Sequence, residues 1–191
     1  MSGGLWLLLL SLLLVLLAAA VSALVFILEI IIRGHDLPTS RRARRALIKI
    51  IQQYHPHART FYDLGCAHGS LAITIKEALP QLSVYGIDNS PVRIMLARLR
   101  AALAHRRVKF VCQNIFAVDL RQADVIYSYL WYDHLPPLEA KVQAELPLGA
   151  LVITNTSHFP NWQPVAKIVT YPKIPKTPDF ETLFVYIKSK V

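Results

Sequence analysis

The stretch Phe61-Tyr62-Asp63-Leu64-Gly65-Cys66-Ala67-His68-Gly69-Ser70 constrains the fold more than any other part of this chain. It reads as a short buried strand, a glycine-bearing turn and a helix start, continued by the apolar pattern Leu71-Ala72-Ile73-Thr74-Ile75. Gly65 and Gly69 permit backbone geometry, or close approach of a ligand, that a side chain would block. The helix N-terminus beyond them offers unpaired N–H groups and a positive dipole end to an anion. Nineteen positions after Gly69 a second strand, Leu82-Ser83-Val84-Tyr85-Gly86-Ile87, ends in Asp88. A carboxylate there can accept hydrogen bonds from both hydroxyls of a ribose. A lone glycine turn is often only structural. Strand, turn, helix, strand and terminal acid in this order predict a nucleoside-cofactor site.

The chain around this stretch alternates strands with helices. The first strand is Thr60–Leu64, followed by a helix from Ser70 to about Leu79 that Pro80 stops. After the second strand, Ser90 and Pro91 are a cap and first-turn pair. They open a helix whose predicted buried stripe is Val92, Met95, Leu96, Leu99 and Leu103. Arg93, Arg98, Arg100, Arg106 and Arg107 are expected to point outward or lie beyond its end. Strands follow at 108–113 and 124–129, then a helix from about Pro137 that buries Leu138, Val142 and Leu146, then a strand at 150–155. This alternation predicts an α/β, Rossmann-like parallel sheet with helices on both faces. The tail differs: 165–171 and 182–188 read as two strands joined by the proline-rich 172–178 segment, a terminal hairpin completing seven strands. Ahead of the sheet, Pro38-Thr39-Ser40 opens a helix with Thr39 or Ser40 as N-cap. Its apolar face is Ala43, Ala46, Leu47, Ile50 and Ile51, predicted to pack on the sheet edge and help cover the site.

Residues 5–32 are almost wholly apolar, with Ser11, Ser22 and Glu29 as interruptions, and they raise the hydrophobic fraction to 54%. As a helix this run is about 42 Å long at ~1.5 Å per residue, against a hydrocarbon core of roughly 30 Å. A cleaved signal peptide would need a positive start and a shorter apolar run, so an uncleaved transmembrane anchor is the expectation. No Lys or Arg precedes the run, whereas Arg33, Arg41, Arg42, Arg44 and Arg45 follow it. That asymmetry places the following domain on the cytoplasmic side, or the matrix side in a mitochondrion. The same arginines suit either an anionic lipid surface or a merely solvated helix face. The expected organisation is therefore an anchor at 5–32, a basic juxtamembrane segment with the first surface helix at 33–58, and the α/β domain at 59–191.

Other function classes find less support. A net charge of +9 also suits nucleic acid, but beside an apolar span a lipid bilayer explains it more simply, and no nucleic-acid partner is expected. Cys66 and Cys112 suggest no disulfide framework. No C-x-x-C or H-E-x-x-H arrangement is present, and His55 and His57 sit near a turn with too few partners, so no metal is expected. Gly69-Ser70 lacks the G-x-S-x-G setting of a serine nucleophile. The sharper rival is a dinucleotide dehydrogenase, but Ala67 and Ser70 stand where that fingerprint wants glycines.

Asp63-Leu64-Gly65-Cys66-Ala67-His68-Gly69 resembles the first motif of the class I S-adenosylmethionine-dependent methyltransferases, acidic-x-Gly-x-Gly-x-Gly. Asp88 falls where that family keeps its ribose-binding acid. Ala67 replaces the middle glycine, and Asn114 stands where an acid often lies beside the adenine. The resemblance implies S-adenosyl-L-methionine as cofactor, held by Asp63, Gly65, Cys66, Ala67, His68, Gly69, Asp88, Asn89, Asn114 and Ile115. The apolar N-terminus, the Pro-Thr-Ser helix opening, Phe159-Pro160-Asn161-Trp162-Gln163-Pro164 and the closing Leu183-Phe184-Val185-Tyr186 narrow it further. Together they are similar to the membrane-anchored protein-lysine methyltransferases of mitochondria, which modify the ATP synthase c subunit and the adenine nucleotide carrier, and to bacterial relatives. That group usually has an acid before the last glycine of the turn, where this chain has His68.

In doubly wound sheets ligands sit beyond the carboxyl ends of the strands. The fourth strand delivers Tyr127-Ser128-Tyr129-Leu130-Trp131-Tyr132-Asp133-His134 there. These rings suit a slot for an amine methyl acceptor, which they would favour as a cation before transfer; they equally suit plain packing of the sheet edge. Tyr129, Asp133 and His134 are the candidate catalytic residues, the last two as bases. Three functions remain open: a methyltransferase acting on a lysine of a membrane protein, one acting on a lipid or small molecule, and a non-catalytic membrane-tethered cofactor-binding module.

Overall fold

The computed structural model describes residues 3–33, 38–170 and 181–189. They fall into two compact units, 1–37 and 38–191. In the first, one helix, α1 (Gly3–Arg33), runs for 31 residues. Its side chains at 8–24 are all exposed. Taken over the described residues, no helix is long and apolar enough to cross a membrane. The α1 backbone is nevertheless continuous through the whole apolar run, including positions whose side chains are not described.

The second unit begins with α2 (Arg41–Tyr54), capped by Ser40, whose hydroxyl accepts from the Ala43 N–H at 3.1 Å. Ala43, Leu47, Ile50 and Ile51 form its buried face as their spacing predicts, and Ala46 is half-buried. Then come β1 (Thr60–Leu64), α3 (Ser70–Ala78), β2 (Ser83–Asp88), α4 (Pro91–Leu103), β3 (Lys109–Cys112), β4 (Val125–Ser128), a 3₁₀ turn (Tyr132–His134), α5 (Leu135–Glu145), β5 (Leu151–Asn155), β6 (Ala166–Val169) and β7 (Thr182–Ile187). They build a seven-stranded sheet in the order β3-β2-β1-β4-β5-β7-β6. The first five strands are parallel, while β7 runs antiparallel to both β5 and β6. The predicted hairpin is thus present in its strands; its proline-rich connection lies outside the described residues. The helix placed by sequence in a separate 33–58 segment shares its unit with the sheet. It lies against α3, β5 and β7, one strand inside the β6 edge.

The register of β1 against β4 is set at the lower rim. Asp124 accepts the N–H groups of Arg59 and Thr60 at 2.7 and 3.0 Å, and the Thr60 hydroxyl accepts from the Asp124 N–H at 2.8 Å. Above this bracket the strands are buried on both faces, as parallel strands are. One core joins α2, α3 and α4 to the sheet, and the other joins it to α5 and the 115–123 connection. That connection between β3 and β4 contains no helix, an exception to the alternation; its Ile115, Val118 and Leu120 are buried directly.

The α4 stripe is the main correction. Ile94, Ala97 and Ala101 face the core, whereas Val92, Met95, Leu99 and Leu103 are exposed and Leu96 is half-buried. The reason is close approach. Phe110 fills the space under Gly69 and Gly86, where a Cβ would come within 2.5–2.6 Å of its ring, and Ala97 lies 2.9 Å from the same position at Gly69. Only the small face of α4 fits against that arrangement. Ranking by side-chain size selects the wrong face.

Candidate active site

The glycine turn closes onto β2 through its own backbone. Gly65 and Cys66 both donate to the Ile87 carbonyl, at 2.8 and 2.9 Å, and Gly69 donates to the Cys66 carbonyl at 2.8 Å. Gly65, Ala67 and Gly69 all have positive φ, +81°, +46° and +72°. Gly69 is the N-cap of α3 and leaves its first N–H groups without a side-chain cap, the arrangement that favours an anion. The space a side chain would take at Gly69 belongs to Phe110, and at Gly65 to Leu130, 2.9 Å away. On those sides the glycines serve protein packing rather than ligand approach.

Asp88 is buried beneath the turn and holds it. One carboxylate oxygen accepts the Ala67 N–H at 3.0 Å, the other the Ser90 N–H at 2.9 Å. Arg93 approaches the first oxygen at 3.9 Å. Ser90 in turn caps α4, accepting from the Arg93 N–H at 3.4 Å. Each Asp88 oxygen keeps a second lone pair for a hydroxyl donor. Asn89 and Asn114 are exposed at the adjacent strand ends. The Asn114 side chain accepts from the Phe116 N–H at 3.0 Å, which turns the chain so that Ile115 is buried.

Two polar atoms at the turn have no hydrogen-bond partner among the described residues. These are the buried Oδ2 of Asp63, at the end of β1, and Nε2 of His68. Burial, with Asp88 close by, pushes the Asp63 carboxyl up to about 7, a shift that Arg44 partly opposes. Burial likewise pushes the Cys66 thiol well above its usual range, which makes it a packing residue and a poor nucleophile. Arg44 is accordingly turned inward, donating to the Thr39 carbonyl at 2.9 Å.

The β4 exit folds over this arrangement. Leu130 sits against Gly65, Tyr129 is half-buried against the first core, and Trp131 and Tyr132 are exposed. Asp133 and His134 are exposed on the 3₁₀ turn, the His134 ring stacked on Phe116 at 6.2 Å. That contact ties the β4 exit to the loop after β3. Phe110 and Phe116 escaped sequence reasoning because apolar residues near a site look like ordinary core. A buried network was also missed: the Tyr127 hydroxyl bonds the Thr39 hydroxyl at 2.7 Å and accepts from Asn155 at 3.0 Å. Asn155 and the Ser40 N–H both donate to Glu181, at 2.9 and 3.0 Å. Its only sequence trace is the Pro-Thr-Ser opening.

Residues 63–166, more than half of the chain, match the model of the ANTKMT methyltransferase domain. The chain belongs to that family. The adenine nucleotide translocase lysine N-methyltransferase of Mus musculus is 32% identical over 108 residues, 56% of this chain and 47% of that protein. A protein-lysine N-methyltransferase of Saccharolobus islandicus is 26% identical over 130 residues, 67% of this chain and 80% of that protein. The chain therefore spans about half the length of the mouse relative. Among solved structures, an RNA methyltransferase from Salinibacter ruber in complex with S-adenosyl-L-homocysteine superposes with a TM-score of 0.69 at 20% identity. It covers 81% of this chain and 96% of that one, and shows the shared fold.

Methyltransferases of this family depend on S-adenosylmethionine, and the residues at the turn fit it. Its amino acid end carries an ammonium and a carboxylate, which match the orphaned Asp63 Oδ2 and a His68 N–H respectively. Its ribose hydroxyls match the remaining lone pairs of Asp88. Ala67 does not obstruct the turn: its N–H is held by Asp88 and its backbone already has the glycine-like conformation.

Proposed function

We propose that this chain is a membrane-anchored, S-adenosylmethionine-dependent protein-lysine N-methyltransferase acting on a membrane protein, its domain on the cytoplasmic or matrix side. The observation that carries the reading is the packing of the β4 exit on the glycine turn, Leu130 against Gly65, with the exposed Trp131 and Tyr132 following it directly in the chain. Family membership and the lysine-methylating relatives support the reaction type. The mouse relative, named for a translocase, supports a membrane acceptor. Anchoring rests on α1, a continuous helix over a run that is apolar on every side, a pattern that soluble surface helices do not have.

S-adenosylmethionine, when bound, supplies a methyl group on a positively charged sulfur that is open to direct displacement. The chain's part is alignment, worth up to ~7–11 kcal/mol in favourable systems. Trp131 and Tyr132 receive the lysine side chain as a cation. An amine near pKa 10.4 must then lose its proton, at about 4.6 kcal/mol at pH 7. Asp133 or His134 accepts that proton directly or through water, and Tyr129 borders the path. Asp63, His68 and Asp88 would hold the methyl donor, and the neutral nitrogen would be its acceptor.

The test is incubation of membranes with the purified full chain and methyl-labelled S-adenosylmethionine. N-methyl-lysine in a membrane protein is the expected product. Label recovered only in lipid or small molecules would overturn the lysine reading. Cofactor binding without any transfer would indicate a non-catalytic module.

A further inference from the structure

Helix α4 has two apolar faces. At about 100° per residue, Val92, Met95, Leu96, Leu99 and Leu103 form a stripe diametrically opposite the buried Ile94, Ala97 and Ala101. Their exposures are 43% for Val92, 61% for Met95, 55% for Leu99 and 72% for Leu103. Scattered exposed apolar residues need no explanation, but a continuous stripe along more than three turns does. Arg93 turns in toward Asp88 at 3.9 Å and Arg98 donates to the Phe110 carbonyl at 2.8 Å, which leaves the exposed Arg100 beside the stripe, and α4 contains no acidic residue. At its C-terminal end the chain passes through His105, Arg106 and Arg107. These line a cleft of about 320 Å³ with Lys76, Glu77 and Pro80.

We propose that the outer face of α4 lies in the interface of an anionic bilayer, its leucines and Met95 in the acyl boundary, with Arg100 and the following Arg107 among the headgroups. An exposed apolar face with an arginine at its edge, another past its end and no acid of its own is the composition of an interfacial helix. Neutral protein partners would not call for the exposed Arg100 and Arg107 at this face, whereas anionic lipid does. The inference rests on the anchoring reading only in that a tether raises the local concentration of bilayer; the reaction catalysed plays no part in it. Its consequence is orientation: the domain would be held by a second, lateral contact rather than swinging freely on one helix.

The experiment places an environment-sensitive fluorophore on the full chain at Leu99→Cys or, as control, at the exposed Ala140→Cys of α5, each in a Cys112→Ser background. Cys66 is buried. In vesicles of phosphatidylcholine with phosphatidylserine, nitroxide-bearing lipid is expected to quench the probe at 99 about threefold more than at 140. Adding Arg100→Gln with Arg107→Gln should reduce that ratio. Equal quenching at the two positions in protein that floats with the vesicles overturns the α4 contact and leaves anchoring intact. Shielding at 99 that follows protein concentration and ignores lipid overturns it in favour of a second copy. Protein that does not float overturns both readings.

Discussion

Asp63 is the residue whose ionisation the fold changes most usefully. Its carboxyl is raised from 3.8 to about 7 by burial and by Asp88. The folded, cofactor-free protein therefore keeps a proton that the unfolded chain releases. Stability contributed by this group declines as pH rises from about 4 to about 7 and is level above that. Asp63→Asn should remove this slope, read as the difference between the urea midpoints of variant and wild type at pH 5 and pH 8. A cation docking on Asp63 favours the ionised form, so cofactor binding should expel a proton near pH 6 and tighten up to about pH 7. Calorimetry in buffers of different ionisation enthalpy measures that proton; none released would mean that the ammonium does not reach Asp63. Gly69 and Ala67 form a contrasting pair. Gly69→Ala meets Phe110 at 2.5 Å with φ at +72°, so it should destabilise by about 2–5 kcal/mol. Ala67→Gly should cost nothing or stabilise by up to about 1 kcal/mol, with cofactor affinity unchanged or higher. Thermal midpoints of the two variants decide both.

Among the elements, α2 is tied to the sheet by a buried hydrogen-bond network. Tyr127 joins Thr39 to Asn155 through a hydroxyl buried in the sheet. Tyr127→Phe leaves both partners short of a bond and should cost about 1–3 kcal/mol, a fall of several degrees in the thermal midpoint. An unchanged midpoint would mean the network does not hold α2 in place. On the 3₁₀ turn, Asp133→Asn and His134→Asn should behave differently from core changes, since both side chains are exposed. Each is expected to leave stability and cofactor affinity intact, and replacing the true base should slow methylation about 10²-fold or more. If neither substitution changes the rate, the proton goes elsewhere.

For the whole molecule the question is where the domain is held. If α1 is an uncleaved anchor, with arginines only at its end and after it, protease applied to intact cells should spare the domain and alkaline carbonate should fail to extract the protein. Digestion from outside, or a mature N-terminus beyond residue 20, would reverse the topology. If α4 also touches lipid, high salt should loosen that second contact by screening the arginines while leaving the protein membrane-bound.

Local chemistry determined much of this protein. Glycines that take positive φ, Asp88 at a strand end, Ser40 and Ser90 as caps, and apolar runs of strand length depend on a few neighbours, so Thr60–Leu64 and the terminal antiparallel pair could be read directly. What needed the tertiary structure was every choice between alternatives of equal hydrophobicity. The sequence of α4 offers two apolar faces, and only the steric fit of Ala97 against Gly69 and Phe110 selects the buried one. Glu181 finds Ser40 and Asn155 across 141 and 26 residues. Contacts so distant along the chain exist only once the sheet order brings β5 and β7 together, because packing compares whole surfaces and no local pattern records the result.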